Sequence, residues 1–563
     1  MRNSKALTRL VLLAAILSTI GGVCTVRSED WGPAKQYYDE FIKRPSLQMR
    51  TRARLKLASS RHPGAFKILS ESYAKPEDPK PQVKYLLTSI CANHFSDEEF
   101  DAGWTEWRNK FAKSEDAWLW YRSLRLHQDN GHEPDLYEVA NENKDLFLRA
   151  SALEALCENG SDGLLAWWET KLEEADKWKE PERGLMLEIG AKTLYMEAHS
   201  MSDDQFRKTA LKLIPQIEHK KTDEKTKVVM ARYFREIWGG DRLFINAAPW
   251  LDRLLNPEKK DHGDDKYAPA TPPTKFVGVE AAGKRIVYVI DMSDSMLKPL
   301  SKQAKEDIKK PVKKPDGPIT GSGKEPGEPQ PGEDEKKDDE DPLPWDKIKT
   351  RFDAAREYLK LSLRSLQKDQ FYCVIWFGDE HDTLKTTKGL TPATPQNIEK
   401  TCDELDRFKG GAPIADRPDG TLKGKTNLHG GIRQAFKLTG KAPVKDYAYV
   451  APETFMTGAD TIFLLSDGAP TWDDWNCQDA REDWDQTGDP ESNTKHADQP
   501  VLDFPGPYGY WYHNDWSYII DDVNRMNLFH KAEIHCIGIG EASQGLLYGI
   551  AKAGMGQVKM VGG

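Results

Sequence analysis

Four stretches in the second half of the chain are apolar almost without interruption, and each has the length of one strand. They are residues 285–290 (Arg-Ile-Val-Tyr-Val-Ile), 371–377 (Phe-Tyr-Cys-Val-Ile-Trp-Phe), 461–465 (Thr-Ile-Phe-Leu-Leu) and 534–539 (Ile-His-Cys-Ile-Gly-Ile). A strand that does not alternate apolar with polar residues has to be covered on both faces. Helix-period segments lie between these strands, the clearest over residues 345–366. Strands alternating with helices specify an α/β domain with a doubly wound, mostly parallel sheet. A last short strand is expected at 558–561.

The first half obeys a different period. Residues 29–255 carry helical patterning with short polar breaks and almost no strand signal. Leu146, Ala150, Leu153 and Cys157 mark one helix face. The polar break at 158–162 ends that helix, and a second follows through Leu164, Leu165 and Trp168. Similar pairs can be traced near 49–71, 82–107, 185–217 and 228–255. Repetition of helix pairs predicts an α-solenoid, with a single irregular bundle as the alternative. The pair at 146–168, with Arg149, Ala152 and Leu156, resembles a HEAT repeat. Between the halves, residues 256–274 contain Pro257, Pro269, Pro272 and Pro273 and read as a linker. The chain's 563 residues suit two such cores, the second spanning 275–563.

Residues 1–28 stand apart. Arg2, Lys5 and Arg9 precede the apolar run 10–20, and Gly21 and Gly22 follow. This is the layout of a secretory signal peptide, with a run too short for a good membrane span. The chain is therefore expected to be exported (periplasmic, cell-surface or secreted), with no membrane span once the signal is removed. Lipidation at Cys24 is disfavoured by Gly21 and Val23, which depart from the usual pattern before a lipidated cysteine. A formal charge of -10 with no large basic face argues against nucleic acid as a partner. Six more cysteines, Cys91, Cys157, Cys373, Cys402, Cys477 and Cys536, match no zinc spacing, and there is no paired histidine motif. Cys373 and Cys536 fall within strand patterns and read as free core thiols; a bridge among the others stays open.

Two insertions interrupt the second domain. Residues 299–344 are rich in Lys, then Glu and Asp, with Pro and Gly throughout, and are expected to be disordered. Residues 471–515 mix aspartates with Trp472, Trp475, Trp484 and Trp511. Large aromatics dominate interface hot spots, so this loop is a candidate partner-binding surface; the alternative is a small core of its own.

Ligands of a doubly wound sheet gather at the carboxyl ends of strands where the winding reverses. The first strand runs into Asp291-Met292-Ser293-Asp294-Ser295, and the third ends at Ser466-Asp467-Gly468. Thr426 stands between them, just before an apolar helix. Two carboxylates and three hydroxyls form an all-oxygen set, which suits magnesium, manganese or calcium better than zinc.

The run Asp291-x-Ser293-x-Ser295, then Thr426, then Asp467 with Gly468, resembles the metal ion-dependent adhesion site of von Willebrand factor A domains. The resemblance covers about residues 276–563 and includes Gly538-Ile539-Gly540. It implies that Ser293 and Ser295 bind the ion directly and that Thr426 binds directly or through water. It further implies that Asp291 and Asp467 act mostly through water and that a partner's carboxylate completes the octahedron. Asp294 departs from the family, where glycine is common. The chain also stops soon after Val561, so the family's closing helix is expected to be absent, which puts an affinity switch in doubt.

Other motifs fail on context. Gly323-Lys324 is followed by Glu325, and Gly424-Lys425-Thr426 has Asp419 in place of the first glycine and no strand before it, so neither is a phosphate loop. The acidic turn at 483–489 has Thr494 where a calcium loop needs glutamate. His429 reads as a surface residue at a helix start. No residue is nominated as a general base, so an enzyme is not expected. The reading is an exported protein that uses a divalent cation, magnesium foremost, to capture an acidic group of a protein partner. The alternatives are an envelope scaffold whose ion only holds loops and, behind it, a metal-dependent hydrolase.

Overall fold

A computed structural model describes residues 30–43, 47–74, 82–161, 163–240, 242–267, 273–309, 343–378, 380–408, 426–444, 452–468, 470 and 517–562. The signal peptide expected at 1–28 lies outside these residues. So do most of the first insertion and the whole of the second, with Trp472, Trp475, Trp484, Trp511, Cys477 and the acidic turn.

The helical half is a stacked array, which decides between the two readings of its sequence. Helices Leu47–Ser59, Gln82–His94, Ala117–Asp129, Leu146–Asn159, Glu182–Met196 and Glu224–Trp238 form one row in which each packs on the next. Intervening helices such as Leu164–Lys171, Asp204–Leu213 and Ala247–Leu255 form a second row. Contacts between successive units, not a shared central core, define a solenoid. Polar side chains bridge the stacked units: Trp118 Nε1 donates to Ser89 Oγ (3.2 Å), and Ser151 Oγ donates to the Ala117 carbonyl (2.9 Å). Arg149 pairs with Glu182 (2.7 Å), Lys192 with Glu154 (2.7 Å) and Lys225 with Glu188 (3.2 Å). The stretch expected as a linker starts by folding back on the last helix, with Arg253 on Asp264 (2.6 Å) and His262 on Asp252 (2.8 Å).

The second half is the α/β domain its strands predicted. A hairpin of β1 (Thr274–Phe276) and β2 (Val279–Ala281) precedes a seven-stranded sheet. The sheet contains β3 (Arg285–Asp291), β4 (Phe371–Phe377), β5 (His381–Thr383), β6 (Thr391–Pro392), β7 (Thr461–Ser466), β8 (Glu533–Ile539) and β9 (Val558–Val561). Its order is β5-β4-β3-β7-β8-β9, with β6 on β4. The pairs β3/β4, β3/β7, β7/β8 and β8/β9 are parallel, and β5 and β6 run antiparallel to β4.

Successive side chains of a strand point to opposite faces, and both faces are buried here. Ile286, Tyr288 and Ile290 of β3, with Phe463 and Leu465 of β7, pack under Phe352, Leu359 and Leu363 of helix Arg351–Ser365 and Ile398 of helix Pro395–Leu405. Val287 and Val289, with Ile462 and Leu464, face helices Leu428–Phe436, Ser517–His530 and Gln544–Ala553. This double cover explains why the strands lack polar alternation. Cys91, Cys157, Cys373, Cys402 and Cys536 are all buried free thiols, so no bridge forms among the described cysteines.

The first residues of the stretch expected to be disordered are folded. Residues Lys302–Lys309 form a helix, Leu300 and Ala304 are buried, and Pro299 bridges Thr350.

The two halves share one core. Phe147 of the array meets Phe529 (5.5 Å between ring centres) and Phe455 (6.4 Å) edge-on. The Arg525 guanidinium lies 3.8 Å from the centre of the Tyr85 ring, and Asp521 accepts from Ser89 Oγ (2.7 Å). Lys531 ties the two halves together. Its ammonium bonds to Glu154 and its carbonyl accepts from Arg232 (3.0 Å), while its backbone holds the left-handed conformation (φ 51°). That conformation costs a non-glycine residue roughly 1–2 kcal/mol, so tertiary contacts hold it. The helix row is occupied by the α/β domain from helix Gln82–His94 to helix Glu224–Trp238. Among the described residues no helix is long and apolar enough to cross a membrane.

Removing one partner of a buried ion pair strands the other charge and costs about 3–5 kcal/mol. Lys531→Met should lower unfolding stability by about 3 kcal/mol, read as the urea midpoint. The wild type should unfold in one calorimetric transition, since the halves share their core.

Candidate metal centre

The sheet order places β3 between β4 and β7, so the connections on its two sides depart in opposite directions. Their carboxyl ends meet at this reversal, the place where doubly wound sheets bind ligands. Asp291 is the last residue of β3, and Asp467 directly follows β7. Both carboxylates are fully buried. Thr426 is delivered to the same edge by backbone bonds: the Asn427 N–H donates to the Gly378 carbonyl (2.9 Å), and the Met292 N–H donates to the Phe377 carbonyl (2.8 Å). Asn427 then caps helix Leu428–Phe436 by accepting from the Gly430 N–H (2.8 Å).

The loop after β3 bends back on itself. Asp291 Oδ1 accepts from the Ser293 N–H (2.9 Å), and Ser293 Oγ shares a hydrogen bond with Ser295 Oγ (2.9 Å). Ser295 Oγ donates to Asp467 Oδ1 (2.6 Å). Four of the five expected residues, Asp291, Ser293, Ser295 and Asp467, are thus joined by hydrogen bonds. Thr426 is buried at the same edge. Asp294 is half-buried in the short helix Asp294–Leu297, with Oδ1 enclosed, and does not simply face solvent.

Two further residues complete the cluster. Ser466 Oγ donates to Asp291 Oδ2 (2.9 Å). Arg351 Nη1 pairs with Asp467 Oδ2 (2.8 Å). Arg351 opens its helix, whose start is set by a capping box between Thr350 and Asp353, and its N–H donates to the Lys298 carbonyl (3.1 Å). Sequence spacing carried no sign of Arg351, because the long first insertion separates it from Ser295. Gly540 gives the guanidinium room, since a Cβ there would lie 2.5 Å from Arg351 Nη2. His429, expected at the surface, is fully buried with Nε2 2.9 Å from Asp522 Oδ2. Its place at a helix start did not reveal that helix Ser517–His530 covers it.

Burial, and after it the nearby Asp467, pushes the Asp291 carboxyl up to about 7. Burial also raises Asp467, against the pull of Ser295 and Arg351. Arg351 and, more weakly, Lys298 supply the positive charge that acts on Asp467. The donor set, two carboxylates and three hydroxyls, is all oxygen and suits a hard divalent cation.

No protein-family model and no curated protein matches the chain. Among solved structures, the chain is similar to "von Willebrand factor type A from Catenulispora acidiphila" at 15% identity and a TM-score of 0.25. The match covers 50% of this chain and 40% of that one.

Arg351→Met should leave Asp467 buried without its cation. We expect a loss of about 3 kcal/mol in chelator-treated protein, measured by urea unfolding, with the sheet's circular dichroism unchanged below the transition.

Proposed function

We propose that the α/β domain is a von Willebrand factor A-like recognition module that holds a divalent cation, magnesium foremost, between Asp291, Ser293, Ser295, Thr426 and Asp467. The single observation that carries this reading is the convergence of two fully buried carboxylates with linked serine hydroxyls at the reversal point of the sheet. Such a group is costly without a cation. An ion held mainly by neutral hydroxyls keeps much of its charge and attracts an external carboxylate. The partner is therefore a protein presenting an aspartate, a glutamate or a chain terminus.

The signal-like start of the chain supports an exported location for this encounter. The aromatic loop at 471–515, which follows Asp467 closely, is the proposed source of partner selectivity through Trp472, Trp475, Trp484 and Trp511. No general base accompanies the acids in this reading, so the protein binds and does not turn over a substrate. A scaffold role, with the ion dispensable to binding, is favoured by one observation: Arg351 already neutralises Asp467.

Asp291→Asn tests the proposal. An amide can accept from the Ser293 N–H and donate to Ser466 Oγ, so the variant should match or exceed the wild type in chelator. Magnesium at ten times its dissociation constant should stabilise the wild type by about 1.4 kcal/mol and leave the variant unmoved. Calorimetric titration should give saturable binding that disappears in Asp291→Ala and Ser293→Ala. Absence of both heat and thermal stabilisation at millimolar magnesium, manganese and calcium would sink the metal-dependent reading.

A further inference from the structure

We propose that Asp101, His127 and His132 form a second divalent-cation site, of zinc-like preference, within the helical array and apart from the carboxylate pocket. The three residues come from three helices. Asp101 opens helix Asp101–Lys110, His127 lies in the last turn of Ala117–Asp129, and His132 caps Glu133–Glu142. One ligand atom from each lies within 4.8 Å of the other two. His132 Nε2 is 3.2 Å from Asp101 Oδ2. Bonds of about 2.0–2.1 Å to a tetrahedral zinc place neighbouring ligand atoms about 3.3 Å apart.

The hydrogen bonds around the cluster leave the lone pairs that a metal needs. His127 Nε2 sits 3.2 Å from the Asp101 carbonyl, which can only accept, and 2.8 Å from Thr105 Oγ1. In the tautomer whose Nε2 hydrogen is donated to that carbonyl, Nδ1 carries a bare lone pair. That Nδ1 is buried with no hydrogen-bond partner, in a residue only 4% exposed. Asp101 Oδ1 accepts from Asn130 Nδ2 (2.8 Å), while its buried Oδ2 has no hydrogen-bond partner beyond the His132 Nε2 contact at 3.2 Å. A backbone carbonyl on the far nitrogen of a histidine and an amide on the far oxygen of a carboxylate are the outer contacts that orient metal ligands.

A plain ion pair between Asp101 and a protonated His132 would satisfy Oδ2 but leave His127 Nδ1 unanswered. Two imidazoles with one carboxylate select a borderline ion over magnesium or calcium. The side chain of His132 is 44% exposed, so a fourth position faces solvent and takes water. Arg108 stands nearby as a competing charge, offset by Asp135 and Asp101. The ion would pin the turn between two helices of the array to the helix that precedes them.

The test uses the full chain, cleared of metal with a chelator and titrated with zinc and, separately, with cobalt. One equivalent of zinc should bind and raise the melting temperature, and cobalt should give the intense visible bands of a tetrahedral site. His132→Ala, at a half-exposed position that should not disturb folding, should weaken zinc binding at least tenfold and abolish the cobalt bands. Asp291→Ala should leave both intact, which separates this site from the carboxylate pocket. Wild-type protein without the cobalt bands, or His132→Ala protein that binds zinc as tightly as wild type, would overturn the proposal.

Discussion

The parallel pairing of β3 with both β4 and β7 is the constraint on which the rest of the α/β domain depends. It puts Ile290 beside Trp376 on one side and Leu465 on the other, so three strand ends reach one edge in register. Asp291 and Asp467 are then brought together by backbone hydrogen bonding rather than by any attraction of their own. Like charges do not assemble spontaneously in a dry crevice. Burial of the apolar strand faces is what holds them there.

The electrostatic consequences reach beyond the crevice. Arg351 enters from the capped start of its helix and answers Asp467, while Ser466 and the Ser293 N–H steady Asp291. On the other side, the helix that begins two residues after Thr426 carries His429, which bonds to Asp522. Asp522 holds Arg525 (2.6 Å), and Arg525 stacks on Tyr85 of the helical array. The edge that gathers the acids is thus one buried contact chain away from the interface between the halves. That interface is itself a core, with Phe147, Phe455 and Phe529 at its centre and the Lys531–Glu154 pair beside it.

Much of this was legible from residue order. Unbroken apolar runs gave away strands covered on both faces, and Asp291, Ser293, Ser295, Thr426 and Asp467 could be named because each lies beside a strand end or a helix start. What escaped shares a physical cause. Arg351 is separated from its partners by a long insertion, and His429 looks like a surface residue until helix Ser517–His530 is laid over it. The trio Asp101, His127 and His132 is spread over three helices and matches no ligand spacing, so only stacking reveals it.

The sequence by itself determined the elements and their classes, because helical and strand periodicity are properties of neighbouring residues and of the water they exclude. It also determined which side chains stand at the strand ends, since the peptide chain carries them there directly. The tertiary structure alone decided which charges meet. A buried lysine in a left-handed turn, an arginine on an acid, two histidines on one aspartate and a helix row closed by its own second domain depend on distances between remote segments. Those distances follow from packing the whole apolar surface at once, and no local pattern encodes them.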